Sequence, residues 1–204
     1  MTLPSTLPMS LIDRALAEVS LDGWLSRRLR GDLVEADRAL LAERLDTLDV
    51  LLLGALADRV RRAECGDVVR IHLRKPSEDP RAVALPPFDA LAGGVAFVRS
   101  VARARLLGPV GARLRIDVDD VGLQLAQVAL AFGGDELVAP TKRLLTVDDA
   151  VLRERELAAL VTAGGRTPRI VDGDDDRLVD GTSSAKKKFR APGRDVPVRR
   201  EGEP

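Results

Sequence analysis

The chain has 204 residues, 32 basic and 32 acidic side chains that cancel, and only 2% aromatic residues. Balanced charge argues against a globally basic field for nucleic acid and against a polyacidic protein. No apolar run reaches the roughly 18–20 residues needed to cross a membrane, and no charged-then-apolar leader pattern opens the chain.

Apolar residues make up 45%, so Leu, Val and Ala must build the core. Cys65 is the single cysteine; it permits no internal disulfide, which fits a reducing, cytoplasmic setting.

Residues 1–8 read as irregular. Residues 10–29 carry a helical period, with Gly23 as a weak point. Gly31 and Asp32 mark a break, and Asp32 is placed to cap a helix bearing Leu33, Ala36 and Leu40. A helix over 48–64 follows, with Leu48, Leu51, Leu52, Ala55, Leu56 and Val60 as its apolar stripe and Gly66 as its stop. Residues 68–73 alternate and are β-branched, so they read as a strand. Residues 75–87 form a loop rich in Pro and charge.

Residues 89–107 return to helical period, and Gly93 and Gly94 leave room for another element to approach. A strand is predicted at 112–118. Residues 122–132 are apolar nearly all round and read as a buried helix; a short strand follows at 136–139. Thr146 with Asp149 resembles a capping box for a helix to about 163. A last strand is predicted at 169–171. From 172 the period ends, so 172–204 reads as a disordered tail.

Helices followed by alternating strand and helix define an α/β class with parallel strands. The expectation is a helix-rich partial (β/α) barrel or a small parallel sheet. Its parts are N-terminal helices and first strand over 1–74, a loop over 75–88, an α/β segment over 89–171 and a tail over 172–204. With about four strands it cannot close a barrel, which needs eight strands and typically about 250 residues.

Asp117, Asp119 and Asp120 follow a predicted strand, where carboxylates can bind a divalent cation. The same residues can instead cap the next helix. His72 lies in a strand with no evident partner for acid–base work. Cys65, beside arginines near a helix end, has a setting that can lower a thiol pKa. Lys186, Lys187, Lys188, Arg190 and Arg194 make the distal tail basic, but Phe189 is its one aromatic, so base-stacking platforms are missing. No nucleotide-binding loop, dinucleotide fingerprint, serine-hydrolase elbow or zinc-protease motif is present. No metal ligand set is expected.

Two blocks resemble the futalosine-pathway radical-SAM enzymes of menaquinone biosynthesis, which include aminofutalosine synthase and cyclic dehypoxanthine futalosine synthase. Residues 40–73, LLAERLDTLDVLLLGALADRVRRAECGDVVRIHL, are similar to the family's opening helix and first barrel strand. Residues 95–137, ending VGLQLAQVALAFGGDEL, are similar to its last barrel helix and strand, through Ala126, Gln127, Ala129, Leu130, Phe132, Gly133, Asp135 and Leu137. The later AALVTAGGRTPRIVD resembles the family's closing segment. The resemblance covers about half the chain.

By that resemblance, Gly133, Gly134, Asp135 and Glu136 fall where the last strand begins to face an active site. A helix C-cap with a tight turn is the other reading of the same residues.

The family carries three cysteines after its first strand. Here Leu73 leads to Arg74, Lys75, Pro76 and Ser77. A cluster that cleaves S-adenosylmethionine needs three protein thiolates, so no iron–sulfur cofactor is expected. The middle of the barrel is missing too, and 138–143 depart from the family's pattern.

These features imply a non-catalytic relative that serves as partner or regulatory subunit of an intact radical-SAM barrel enzyme, pairs with itself, or keeps affinity for a pathway metabolite. The physical basis is a part-barrel with an open edge and an apolar face that need cover. The alternative is a small enzyme of changed chemistry using Asp117, Asp119, Asp120 and Asp135. Either way, the two blocks must be neighbours in one sheet-and-helix layer.

Overall fold

A computed structural model describes residues 14, 17, 21, 23–73, 76, 78–83, 85–140, 147–172 and 175–178. Thr146, the basic distal tail and most of 10–20 lie outside the described residues. The elements are α1 (Trp24–Arg30), α2 (Glu35–Arg44), α3 (Val50–Cys65), β1 (Val68–His72), β2 (Ala82–Val83), α4 (Gly93–Leu107), β3 (Arg113–Asp117), α5 (Val118–Val121), α6 (Leu123–Ala131), β4 (Glu136–Val138), α7 (Val147–Ala163), β5 (Thr167–Asp172) and β6 (Asp175–Leu178).

Local chemistry explains most boundaries. The Asp49 carboxylate accepts from the Leu51 and Leu52 amides and starts α3; Gly66, at φ 71°, ends it. Leu53, Leu56, Ala57 and Val60 then share the buried side of α3. Gly94 meets α6 closely: a Cβ there would stand 3.3 Å from a Leu125 methyl.

Several boundaries differ from expectation. Asp32 does not cap a helix; it accepts from Arg30 Nε at 2.7 Å. The following residues stay non-helical until Glu35, and Asp37 accepts the Val34 amide instead. Helical structure at residues 14 and 17 is interrupted before α1, which Gly23 starts in the left-handed region. The helix over 122–132 is amphipathic: Ala126, Ala129 and Leu130 are buried, whereas Val128 is 46% exposed. The predicted loop contains β2. The first residue of the predicted tail, Asp172, closes β5, and β6 at 175–178 pairs antiparallel with it.

The protein is a helix-rich α/β structure with a six-stranded sheet in the order β2-β3-β4-β1-β5-β6. All pairings are parallel except β5 with β6. β1 lies between β4 and β5, so the strands do not follow chain order as in an arc of a barrel. The outcome is the small parallel sheet. The two blocks singled out in the sequence supply adjacent strands, β1 and β4.

The helices α4, α6 and α7 pack on the sheet, and α3 packs on α4 and α6. Alternation along each strand sends Val69, Ile71, Leu114, Ile116, Leu137 and Ile170 toward them, each 0% exposed. At about 1.5–3 kcal/mol per fully buried Val, Leu or Ile side chain, this face is the main source of sheet stability. The opposite face was expected to be apolar and in need of cover. It is charged instead, because the alternate strand positions hold arginines, a histidine and a glutamate.

Candidate functional site

Register sets the charged face. Arg115 of β3 lies beside Glu136 of β4, Glu136 beside Arg70 of β1, and Arg70 beside Arg169 of β5. Arg115, Glu136, Arg70 and Arg169 therefore form one row across four strands. Each of the three arginines is followed by an isoleucine, and those isoleucines stand in the core row directly behind.

Glu136 is fully buried at the centre of this face. It accepts from Arg113 Nη1 and from Arg115 Nε, both at 2.7 Å. Arg70 Nε stands 3.3 Å away, and His72 Nε2 stands 3.4 Å away. Burial opposes ionisation of Glu136, but the polar contacts from His72, Arg113 and Arg115 outweigh it and hold its carboxyl well below the usual carboxylate range. Asp79, in the loop before β2, also pairs with Arg113 at 3.2 Å. The Arg81 amide, then the Arg113 charge, holds the Asp79 carboxyl down against some burial.

A second polar network fixes the amino ends of the strands. The buried Arg105 of α4 donates to Gly133 O at 2.9 Å, Ala112 O at 2.6 Å and Asp135 Oδ1 at 2.7 Å. Asp135 also accepts the Leu114 amide at 2.7 Å. One guanidinium thus ties together the loops that enter β3 and β4. Burial pushes the Asp135 carboxyl up, and Arg105 opposes that shift. Glu64 accepts from Arg28 at 2.8 Å and from the Gly111 amide at 3.0 Å, adding α1 and α3 to the frame.

An open groove of about 510 Å³ lies where the charged face meets this frame, lined in part by Arg70, Arg81, Arg113 and Arg169. A second pocket of about 360 Å³ sits at the other end of β3, between Arg115, Asp117, Asp120, Phe88 and Phe97.

The residues singled out in the sequence are divided between these places. Asp117 accepts from the Asp119 and Asp120 amides, which is the geometry of an N-cap for α5. Asp119 pairs with Arg153 at 3.2 Å. Gly133 turns the chain at φ 103° against Arg105, and Gly134 packs on Ile116, so neither borders open space. Asp135 faces the helix layer and Glu136 the charged face. The seven residues do not form one site. Among the described residues, no group of three or more His, Cys, Asp or Glu is placed to hold a metal ion.

The residues do not fit an iron–sulfur cluster. Cys65 ends α3, is half-buried, and its Sγ lies 3.8 Å from Ala112 O and 3.5 Å from Arg105 Nη1. Burial first, and then the Asp135 charge, push its thiol up despite Arg105. That reverses the lowered pKa its arginine neighbours suggested.

Sequence reasoning missed the arginine row. The signal was the dipeptide Arg-Ile in three strands, at 70–71, 115–116 and 169–170.

The fold and site define an α/β layer whose sheet carries a charged face opposite its helices. No family model and no curated protein matches the chain. No helix among the described residues is long and apolar enough to cross a membrane.

Proposed function

We propose that this chain is a non-catalytic relative of the futalosine-pathway radical-SAM barrels, acting as partner or regulatory subunit of an intact barrel enzyme in the cytoplasm. The observation that carries the reading is the parallel pairing of β1 with β4. A barrel's first and last strands are neighbours at the point of closure, and the two resembling blocks supply these two strands.

The role is non-catalytic for two reasons. The chain has one cysteine where cluster chemistry needs three thiolates. Three of the four candidate carboxylates are held elsewhere: Asp117 by a cap, Asp119 by Arg153 and Asp135 by Arg105.

Affinity purification of the tagged chain from its native cell tests the partner role. Co-elution of a complete radical-SAM enzyme in fixed proportion is expected. A chain that elutes alone as a monomer would overturn it.

A further inference from the structure

We infer that the pocket at the carboxyl ends of β2 and β3 binds a small organic cation, a protonated amine carried on an apolar body. This goes beyond the partner role, and it rests on the pocket alone and not on the resemblance.

The pocket holds about 360 Å³, within the roughly 300–1,000 Å³ usual for small-molecule sites. It lies where α/β sheets commonly bind ligands, beyond the carboxyl ends of adjacent strands. β2 and β3 pair parallel, with α4 as the crossover between them. The segments that follow the two strands therefore leave the same end of the sheet.

Residue chemistry divides the wall in two. One part is apolar and includes Val83, Leu85, Phe88, Phe97 of α4 and Val121 of α5. The rings of Phe88 and Phe97 meet edge to face, 5.8 Å apart at 87°. Pro86 and Pro87 fix φ in the segment before Phe88, which stiffens this side and lowers the cost of ordering it on binding. The other part carries two carboxylates, Asp117 and Asp120.

Neither carboxylate is used up. Asp117 caps α5 through Oδ1, which accepts from the Asp119 and Asp120 amides at 3.0 and 3.4 Å. Among the described residues, Asp117 Oδ2 and both side-chain oxygens of Asp120 take part in no hydrogen bond or ion pair. The neighbouring Asp119 is taken by Arg153 at 3.2 Å. Arg115, the cation on the pocket wall, is met by Glu136 at 2.7 Å.

An ammonium suits this set better than other ligands do. A divalent cation such as calcium takes six to eight oxygens, and no group of three or more metal-ligating side chains stands together among the described residues. A phosphate or carboxylate would meet like charge from both aspartates. A neutral apolar ligand would strip water from the half-buried Asp117 and return no hydrogen bond. An ammonium brings three donors and an opposite charge.

The test titrates the full chain with phenethylamine at neutral pH and constant ionic strength, following the amide shifts of β2, β3 and α5 by NMR. Phenethyl alcohol and hydrocinnamate are the neutral and anionic comparisons. Saturable shifts centred on these elements are expected, with the amine binding about threefold or more tighter than the alcohol and the acid weakest. Asp117→Asn keeps a good helix cap, and Asp120→Asn alters an exposed residue, so both should match the parent by circular dichroism. Each should weaken the amine about threefold and the two together about tenfold, the scale of partly exposed charge pairs. Binding of the alcohol should not change. If one variant loses its fold, the other still carries the comparison. No saturable shift, alcohol or acid binding as tightly as the amine, or amine binding equal in parent and folded variants would overturn the site. None of these results bears on partner co-purification, so the two ideas fail separately.

Discussion

Glu136 is the side chain on which the charged face depends, and Glu136→Gln isolates its charge with little change of shape. In the parent, one fully buried carboxylate meets Arg113 and Arg115 at 2.7 Å and Arg70 at 3.3 Å. The glutamine keeps one acceptor but turns an amide donor toward guanidiniums. Breaking a buried ion pair by removing one partner costs about 3–5 kcal/mol. That is a large share of the roughly 5–15 kcal/mol by which domains are stable.

Urea unfolding followed by circular dichroism measures the difference, and pH gives it a sign. The folded pKa of Glu136 lies below its unfolded value. Its contribution is therefore fully present above the unfolded value of about 4.3 and is lost as the pH falls toward the folded one. The gap between parent and variant should be widest near neutral pH and should narrow in acid. A variant within about 1 kcal/mol of the parent at neutral pH, the value of a surface pair, would refute the buried network. So would a gap that widens in acid.

Three further outcomes follow from the same geometry. Gly133→Ala places a Cβ 2.8 Å from Arg105 Cβ at a backbone φ of 103°, so urea unfolding should show a loss of about 1–3 kcal/mol. Asp117→Ala removes the α5 cap and should cost about 1 kcal/mol in the same assay. Cys65, with its thiol pushed up by burial, should alkylate with iodoacetamide far more slowly in the folded chain than in urea, followed by mass spectrometry. Equal rates would show that the thiol is neither buried nor shifted.

Much of the fold was legible because the chain punctuates itself. Asp49 and Gly66 bracket α3, and the alternation Val-Val-Arg-Ile-His marks β1. Parallel strands followed from the alternation of strand and helix. Short elements escaped the same reasoning: β2 is two residues long, α5 is one turn, and β6 is polar and follows the last clear period. Such segments gain their structure from pairing with a neighbour rather than from their own residues.

The site was legible only in part. Asp135 and Glu136 stood out by resemblance, yet their side chains serve opposite faces because adjacent strand residues point apart. The arginine row could not be assembled before the register was known. Arg70, Arg115 and Arg169 are 45 or more residues apart and meet only through β1 pairing with both β4 and β5. The expectation of an apolar face erred for the same reason, since it came from counting strands rather than assigning each residue to a side.

Anaerobic reconstitution of the purified chain with iron and sulfide, then incubation with S-adenosylmethionine and a reductant, tests the absence of radical chemistry most directly. The chain should bind no stoichiometric cluster and release no 5′-deoxyadenosine above a protein-free blank. A bound cluster that splits S-adenosylmethionine would contradict it.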